Sequence, residues 1–202
     1  MTPPALPRPT WLVGCGNMAG AMVGGWRAAG VDLSGVVAIR PSGKPVEGLR
    51  VVTSLDQAGA APELVILGFK PQQLDQVAPA LMHWVTSKTV IVSILAGVET
   101  ESLKARFDWA AAIVRVMPNL PVSVRRGVIG LYSDNADEAV RDQLSQLFGQ
   151  LGYAIWVNDE QRLAALGALA GAGPAYVARF VGALAKGGGG RGLSAELART
   201  IA

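Results

Sequence analysis

Cysteine and histidine are nearly missing from this chain. Its 202 residues hold one Cys, Cys15, and one His, His83. A single thiol excludes an internal disulfide framework, and no Cys/His set has the spacing of a zinc site. His83 has no ligand partner in sequence and is expected on a helix surface. Charge is also sparse. Charged residues make up 16% of the chain, and 18 Lys and Arg against 15 Asp and Glu leave a net charge of +3. Lys and Arg form no long runs, so nothing points to a nucleic-acid partner. No uninterrupted apolar run reaches the length of a membrane span. The proline-rich residues 1–9 have no apolar core of the signal-peptide kind. These absences predict a soluble, cytoplasmic protein with no metal, membrane or nucleic-acid partner.

What the chain does have is apolar content and glycine. Half of it is hydrophobic and only 16% is charged, which argues against disorder and allows a sizeable core, and 25 residues are Gly. The stretch Trp11–Met22 reads as a short buried strand, a glycine turn and a helix start, with Gly14, Gly16 and Ala19 in a Gly-x-Gly-x-x-Ala pattern. Gly14 serves the tight turn, and Gly16 lets backbone approach a pyrophosphate. Ala19 provides close helix–strand packing. The amides near Asn17 and Met18 would face the phosphates along the positive end of the helix dipole.

Strand and helix signals then alternate. Strands are expected at Thr10–Val13, Val36–Arg40, Leu64–Phe69, Thr89–Leu95, Ala112–Met117, Gly127–Tyr132 and Tyr153–Val157. Helices are expected at Asn17–Ala29, Gln72–Val85, Glu99–Phe107 and Ala136–Leu151. Continuous apolar strands of this length, separated by helices, predict an α/β fold. It is a Rossmann-like, doubly wound, mostly parallel sheet. An all-helical C-terminal unit begins after residue 158, so the division is 1–158 and 159–202. In the second unit Glu160–Ala170 opens the helical part. Pro174 suits the first turn of a new helix, Gly187–Gly190 interrupts it, and Ser194 is an N-cap for Ala195–Ala202.

The end of the second strand carries cofactor information. An Asp or Glu there would hold a ribose 2′-hydroxyl. The chain instead reads Arg40-Pro41-Ser42-Gly43-Lys44, with no acid. Arg40 can pair with a 2′-phosphate and Ser42 adds a hydroxyl, which predicts NADPH in preference to NADH. Three further loops sit where the carboxyl ends of strands belong: Phe69-Lys70-Pro71, Ala96-Gly97 and Met117-Pro118-Asn119. Lys70 offers a cation and Asn119 an amide at the nicotinamide end. Ala96 and Gly97 let backbone approach a ring. Cys15 reads as a packing residue, and no catalytic acid–base set is present.

The motifs Gly14-Cys15-Gly16-Asn17-Met18, Phe69-Lys70-Pro71-Gln72, Ser93-Ile94-Leu95-Ala96-Gly97-Val98, Arg115-Val116-Met117-Pro118-Asn119 and Gly171-Ala172-Gly173-Pro174-Ala175-Tyr176 resemble, in order, the pyrroline-5-carboxylate reductase family. The resemblance implies NAD(P)H-dependent reduction of 1-pyrroline-5-carboxylate to proline. It implies a homodimer or higher homo-oligomer with interleaved helical units. It implies a site between the dinucleotide unit of one subunit and the helical unit of its partner, with Lys70, Asn119, Gly173 and Pro174 near substrate. The chain also departs from the family pattern. Gly167, Ala170, Ala172 and Leu120 stand where hydroxyl residues are usual, and the family's Ser-Pro-Gly-Gly-Thr-Thr-like loop does not occur in these residues. Two readings follow, a truncated form or a changed substrate site. Both predict weak or no turnover by these 202 residues, intact NADPH binding and self-association beyond about Ala164. The alternatives are another NADP-dependent imine or β-hydroxyacid reductase, and a nucleotide-binding or dimerisation module without turnover.

Overall fold

The computed structural model describes residues 6–202. Residues 1–5 of the proline-rich N-terminal stretch lie outside the described residues. One eight-stranded sheet runs in the order β3-β2-β1-β4-β5-β6-β7-β8. Its strands are β1 (Thr10–Val13), β2 (Val36–Ile39), β3 (Arg50–Val52), β4 (Leu64–Leu67), β5 (Val90–Ser93), β6 (Ala112–Met117), β7 (Gly127–Tyr132) and β8 (Gly152–Trp156). All neighbours pair in parallel except β6 and β7, which run antiparallel. Strands β1, β4 and β5 are buried along their whole length because helices cover both faces.

Two apolar layers flank the sheet. One joins Met22, Val23 and Trp26 of α1 (Asn17–Ala28) to Leu144, Leu147 and Phe148 of α4 (Glu138–Gly149). The Trp26 ring tilts against Phe148 at 5.8 Å, and its Nε1 donates to the Leu147 carbonyl at 3.0 Å. The other layer packs Leu74, Ala78 and Leu81 of α2 (Leu74–Met82) and Leu103 of α3 (Thr100–Lys104) on Trp11, Val65 and Ile91.

Several expectations change. A short strand, β3, was not foreseen. Its three residues begin with exposed Arg50, too short a run to show alternation. The helix expected over 72–85 splits into a 3-10 turn, Pro71–Gln73, and α2. Pro174 does not open a helix, and Gly187 does not interrupt one. Both lie inside a single helix, α5 (Glu160–Gly189), followed by α6 (Ala195–Ile201) with Ser194 as its side-chain cap. The uninterrupted helix also corrects the reading that no span-length segment exists. By length and composition alone α5 could cross a membrane, with a mean hydropathy of 1.3 in its most apolar window.

Helix α5 is fixed at its start by charge. Glu160 accepts from the Thr100 N–H and hydroxyl, each at 2.8 Å, and from the Arg115 guanidinium on β6. Arg115 is buried, and Glu160 neutralises it. Burial pushes the Glu160 carboxyl up. The bonds from Arg115 and Thr100 outweigh that and hold it below its ordinary value. A carboxyl depressed in the folded state contributes stability above its unfolded value, and that contribution is lost as pH falls through the folded one. Glu160→Gln should therefore cost about 2 kcal/mol at neutral pH. It should also flatten the acid limb of stability against pH, read by urea unfolding. An unchanged acid limb would contradict the assignment.

The connection from β6 to β7 includes a 3-10 turn, Leu120–Val124, that crosses α1 at Gly25. A Cβ on Gly25 would fall against the Val122 carbonyl oxygen, whereas one on Gly24 meets nothing within 4 Å. Gly25→Ala should destabilise by about 1–3 kcal/mol through overpacking. Gly24→Ala should stabilise by about 1 kcal/mol through helix propensity. Thermal unfolding of the two variants checks the opposed signs.

Candidate functional site: a dinucleotide groove over the first strands

Two turns leave the sheet side by side. Gly14 ends β1 with φ +78°, and Gly68 ends β4. A Cβ on Gly14 would lie 2.8 Å from the Phe69 backbone nitrogen, and one on Gly68 would lie 2.7 Å from the Gly14 carbonyl oxygen and 3.1 Å from the Ala19 Cβ. These three small residues let the turns close on each other. Gly16 differs. A Cβ there meets no protein atom closer than the Gly68 carbonyl oxygen at 4.0 Å, and Gly16 lines the groove above. Its missing side chain is therefore space left for something other than protein.

Helix α1 begins beneath that space. Gly16 is its N-cap, with no side-chain capping bond and no acid in the first turn. The first bond of the helix is Gly20 N–H to the Gly16 carbonyl at 2.8 Å. The amides of Asn17, Met18 and Ala19 precede that bond and are free to meet an anion at the helix's positive end.

Arg40 sits one residue beyond β2. It is held by its backbone N–H on the Val52 carbonyl, 2.8 Å, and by its guanidinium on the Lys44 carbonyl, 2.9 Å. The Lys44 N–H reaches the Ser42 hydroxyl at 3.4 Å. This compact basic turn forms one wall of the groove. Across it lie Phe69, Lys70, Gln73, Gln76 and His83. The groove measures about 1510 Å³, above the ~300–1,000 Å³ usual for small-molecule sites and suited to an extended ligand. Burial raises the Cys15 thiol, partly offset by Arg40 nearby, so Cys15 stays a protonated packing residue.

The groove thus gathers Gly14, Gly16, Asn17, Met18, Ala19, Arg40, Ser42, Phe69 and Lys70. Pro71 starts the 3-10 turn beside it. Ala96 and Gly97 are exposed past β5, beyond Ile94, which is the groove residue at that edge. Gly173 and Pro174 lie far along α5, and a Cβ on Gly173 meets nothing within 4 Å. Asn119 is not presented to a ring. It is only 6% exposed, and both ends of its amide are bonded within the fold. Sequence reading also passed over Thr53, Ser54, Asp56 and Gln76, which complete the groove wall. The β-branched run Val51-Val52-Thr53 was the available signal for β3 and the residues after it.

A doubly wound sheet whose first crossover turn holds an anion-ready helix end, beside a basic turn in place of an acid, defines a dinucleotide-binding protein of the oxidoreductase class. The comparisons agree. Residues 11–97 match the model of the F420-dependent NADP oxidoreductase family, and residues 160–202 match that of pyrroline-5-carboxylate reductase dimerisation. The chain is 36% identical over 197 residues to pyrroline-5-carboxylate reductase of Pseudomonas aeruginosa, covering 94% of this chain and 72% of that one. It is 35% identical over 181 residues to the Haemophilus influenzae enzyme, covering 87% and 67%. The solved pyrroline-5-carboxylate reductase of Coxiella burnetii superposes with a TM-score of 0.85 at 28% identity, covering 97% of this chain and 76% of that one. The NADP-bound Plasmodium falciparum structure has the same fold, with a TM-score of 0.85 at 24% identity over 96% and 74%. This chain belongs to the pyrroline-5-carboxylate reductase family.

The two glycines yield a paired prediction. Gly16→Val should fold normally by circular dichroism and lose NADPH binding, because its branch enters the groove. Gly14→Ala should lower the melting temperature, since its φ is positive and its Cβ strikes Phe69. Full-strength NADPH binding by folded Gly16→Val would refute the placement of the pyrophosphate.

Proposed function

We propose that this protein is an NADPH-dependent reductase that converts 1-pyrroline-5-carboxylate to proline, the last step of proline synthesis. The observation that carries this is the free α1 amide end beside the basic Arg40–Lys44 turn, in a chain of this family. In this reading the pyrophosphate lies on Gly14, Gly16, Asn17, Met18 and Ala19. Arg40 and Ser42 hold the 2′-phosphate by charge-assisted bonds. Phe69, Lys70, Pro71, Ala96 and Gly97 border the nicotinamide. When bound, the cofactor supplies the hydride. The chain's own task is to hold the two reactants in register and exclude water. A hydride transfer asks for no protein nucleophile, and Cys15, whose thiol burial keeps protonated, takes no part.

The proposal includes a division at residue 158, between the sheet unit and the helical unit. It also includes a homodimer in which the helical unit of one chain completes the substrate site of the other, near Lys70, Gly173 and Pro174. Leu169, Tyr176, Val177, Phe180 and Leu184 are exposed along α5, and Leu197 and Ile201 on α6. An apolar surface of this extent marks an interface. In this reading coverage by a second chain, not a membrane, answers the span-like hydropathy of α5, and the protein works in the cytoplasm.

Adding pyrroline-5-carboxylate to protein and NADPH should consume NADPH and form proline in equal amount, at the low rate expected where Gly167, Ala170, Ala172 and Leu120 replace hydroxyl residues. NADPH-binding dimer that forms no proline would overturn the activity. Arg40→Ala should weaken NADPH binding roughly ten- to a hundredfold, the ~1.5–3 kcal/mol of a hydrogen bond to a charged group. It should leave NADH within about twofold. Equal losses for both cofactors would remove Arg40 from the 2′-phosphate.

A further inference from the structure

Proline inside a helix has a defined cost. It supplies no N–H to the carbonyl four residues earlier, and its ring crowds that carbonyl. In α5 the proline is Pro174, so the carbonyl left without an intrahelical donor is that of Ala170. The structure supplies a donor from elsewhere. The Asn119 Nδ2 donates to the Ala170 carbonyl oxygen at 2.8 Å. The other end of the same amide, Oδ1, accepts the Val128 N–H of β7 at 2.9 Å. The two partners fix the amide's orientation, since one needs an acceptor and the other a donor.

The position of this bond matters. Along α5, Leu163 and Leu166 pack over Gly130 of β7, and Gly167 lies on Met117 of β6. A Cβ on Gly167 would fall 2.8 Å from the Met117 Cγ. One turn later comes Ala170, bonded to Asn119. Beyond it, a Cβ on Gly171, Gly173, Gly182 or Gly187 would meet nothing within 4 Å. Among the described residues, Asn119 to Ala170 is the last side-chain hydrogen bond from the sheet to α5. The first is the Glu160 pair at the helix start. The helix is therefore tethered at two points and then overhangs.

We infer that Asn119 is a positioning residue: its amide takes the place of the N–H that Pro174 lacks and so sets the direction in which the rest of α5 leaves the sheet. The motif Met117-Pro118-Asn119 and the motif Gly173-Pro174 are two halves of one joint. The freed carbonyl gives the loop after β6 a fixed place to hold the helix. This assigns Asn119 to aiming the helix, not to contacting the nicotinamide. Its effect on substrate rests on the proposed activity, whereas its effect on subunit pairing rests on the proposed dimer alone.

A double-mutant cycle on the whole chain tests this, using Asn119→Ala, Pro174→Ala and the pair. Pro174→Ala returns an N–H to position 174, and that N–H can bond the Ala170 carbonyl without Asn119. In the native background Asn119→Ala should raise the dimer dissociation constant and the KM for pyrroline-5-carboxylate at least fivefold. The NADPH dissociation constant should stay within twofold. In the Pro174→Ala background the same substitution should change all three by less than twofold. Asn119→Asp keeps the bond from Val128 but turns an oxygen toward the Ala170 carbonyl. It should match or exceed Asn119→Ala, and it serves if that variant fails to fold. Additive effects of the two sites would overturn the inference, as would NADPH binding that weakens as much as KM rises. If the native chain forms no proline, the dissociation constants still decide the point, so failure of the proposed activity is separable from failure of the joint.

Discussion

Everything at the functional end of this molecule depends on how closely two turns approach. The ends of β1 and β4 cannot sit side by side unless Gly14, Gly68 and Ala19 are all small. That contact sets the level at which α1 begins, and so the height of its free amides above the sheet. It also brings Phe69 and Lys70 into the same groove as Gly16. Backbone packing, with no contribution from a charged side chain, thus makes the anion site. The charged turn at Arg40 adds selectivity to a pocket already formed.

The central strands were legible because burial on both faces leaves nearly unbroken apolar runs. Leu64-Val65-Ile66-Leu67 and Val90-Ile91-Val92 read as strands and are strands. The glycine turn was legible because its spacing follows from geometry. Gly68 was less so, since its demand comes from a neighbour distant in sequence. Strand β3 escaped notice because pairing with β2 stabilises what three residues alone would not. The continuity of α5 through Pro174 was hidden for a similar reason. Local rules place a proline at a helix start, and they hold unless something distant satisfies the orphan carbonyl. That something, Asn119, is 51 residues away from Ala170. Read alone, its buried amide looks like a ligand contact; its two partners make it part of the frame.

The outer part of α5 has a different energetic status from the sheet. Its first turns lie on β6 and β7 and have the part-buried Arg115–Glu160 pair at their base. Its later turns carry Tyr176 and Phe180, which are 72% and 65% exposed. The eight glycines from Gly167 through Gly190 also favour the unfolded chain. What holds those turns helical must come largely from outside the single chain, in the region that matches the family's dimerisation model.

Such an overhang makes protein concentration a structural variable. A surface covered only by a second copy gains its stability by mass action, in proportion to the logarithm of the protomer concentration over the dissociation constant. In the proposed dimer, dilution alone would act on Tyr176, Phe180 and Leu184 as a denaturant does, while the sheet beneath stays folded. The same polypeptide would have, in that dimer, two melting behaviours, one intrinsic and one collective, with the boundary between them at the carbonyl of Ala170.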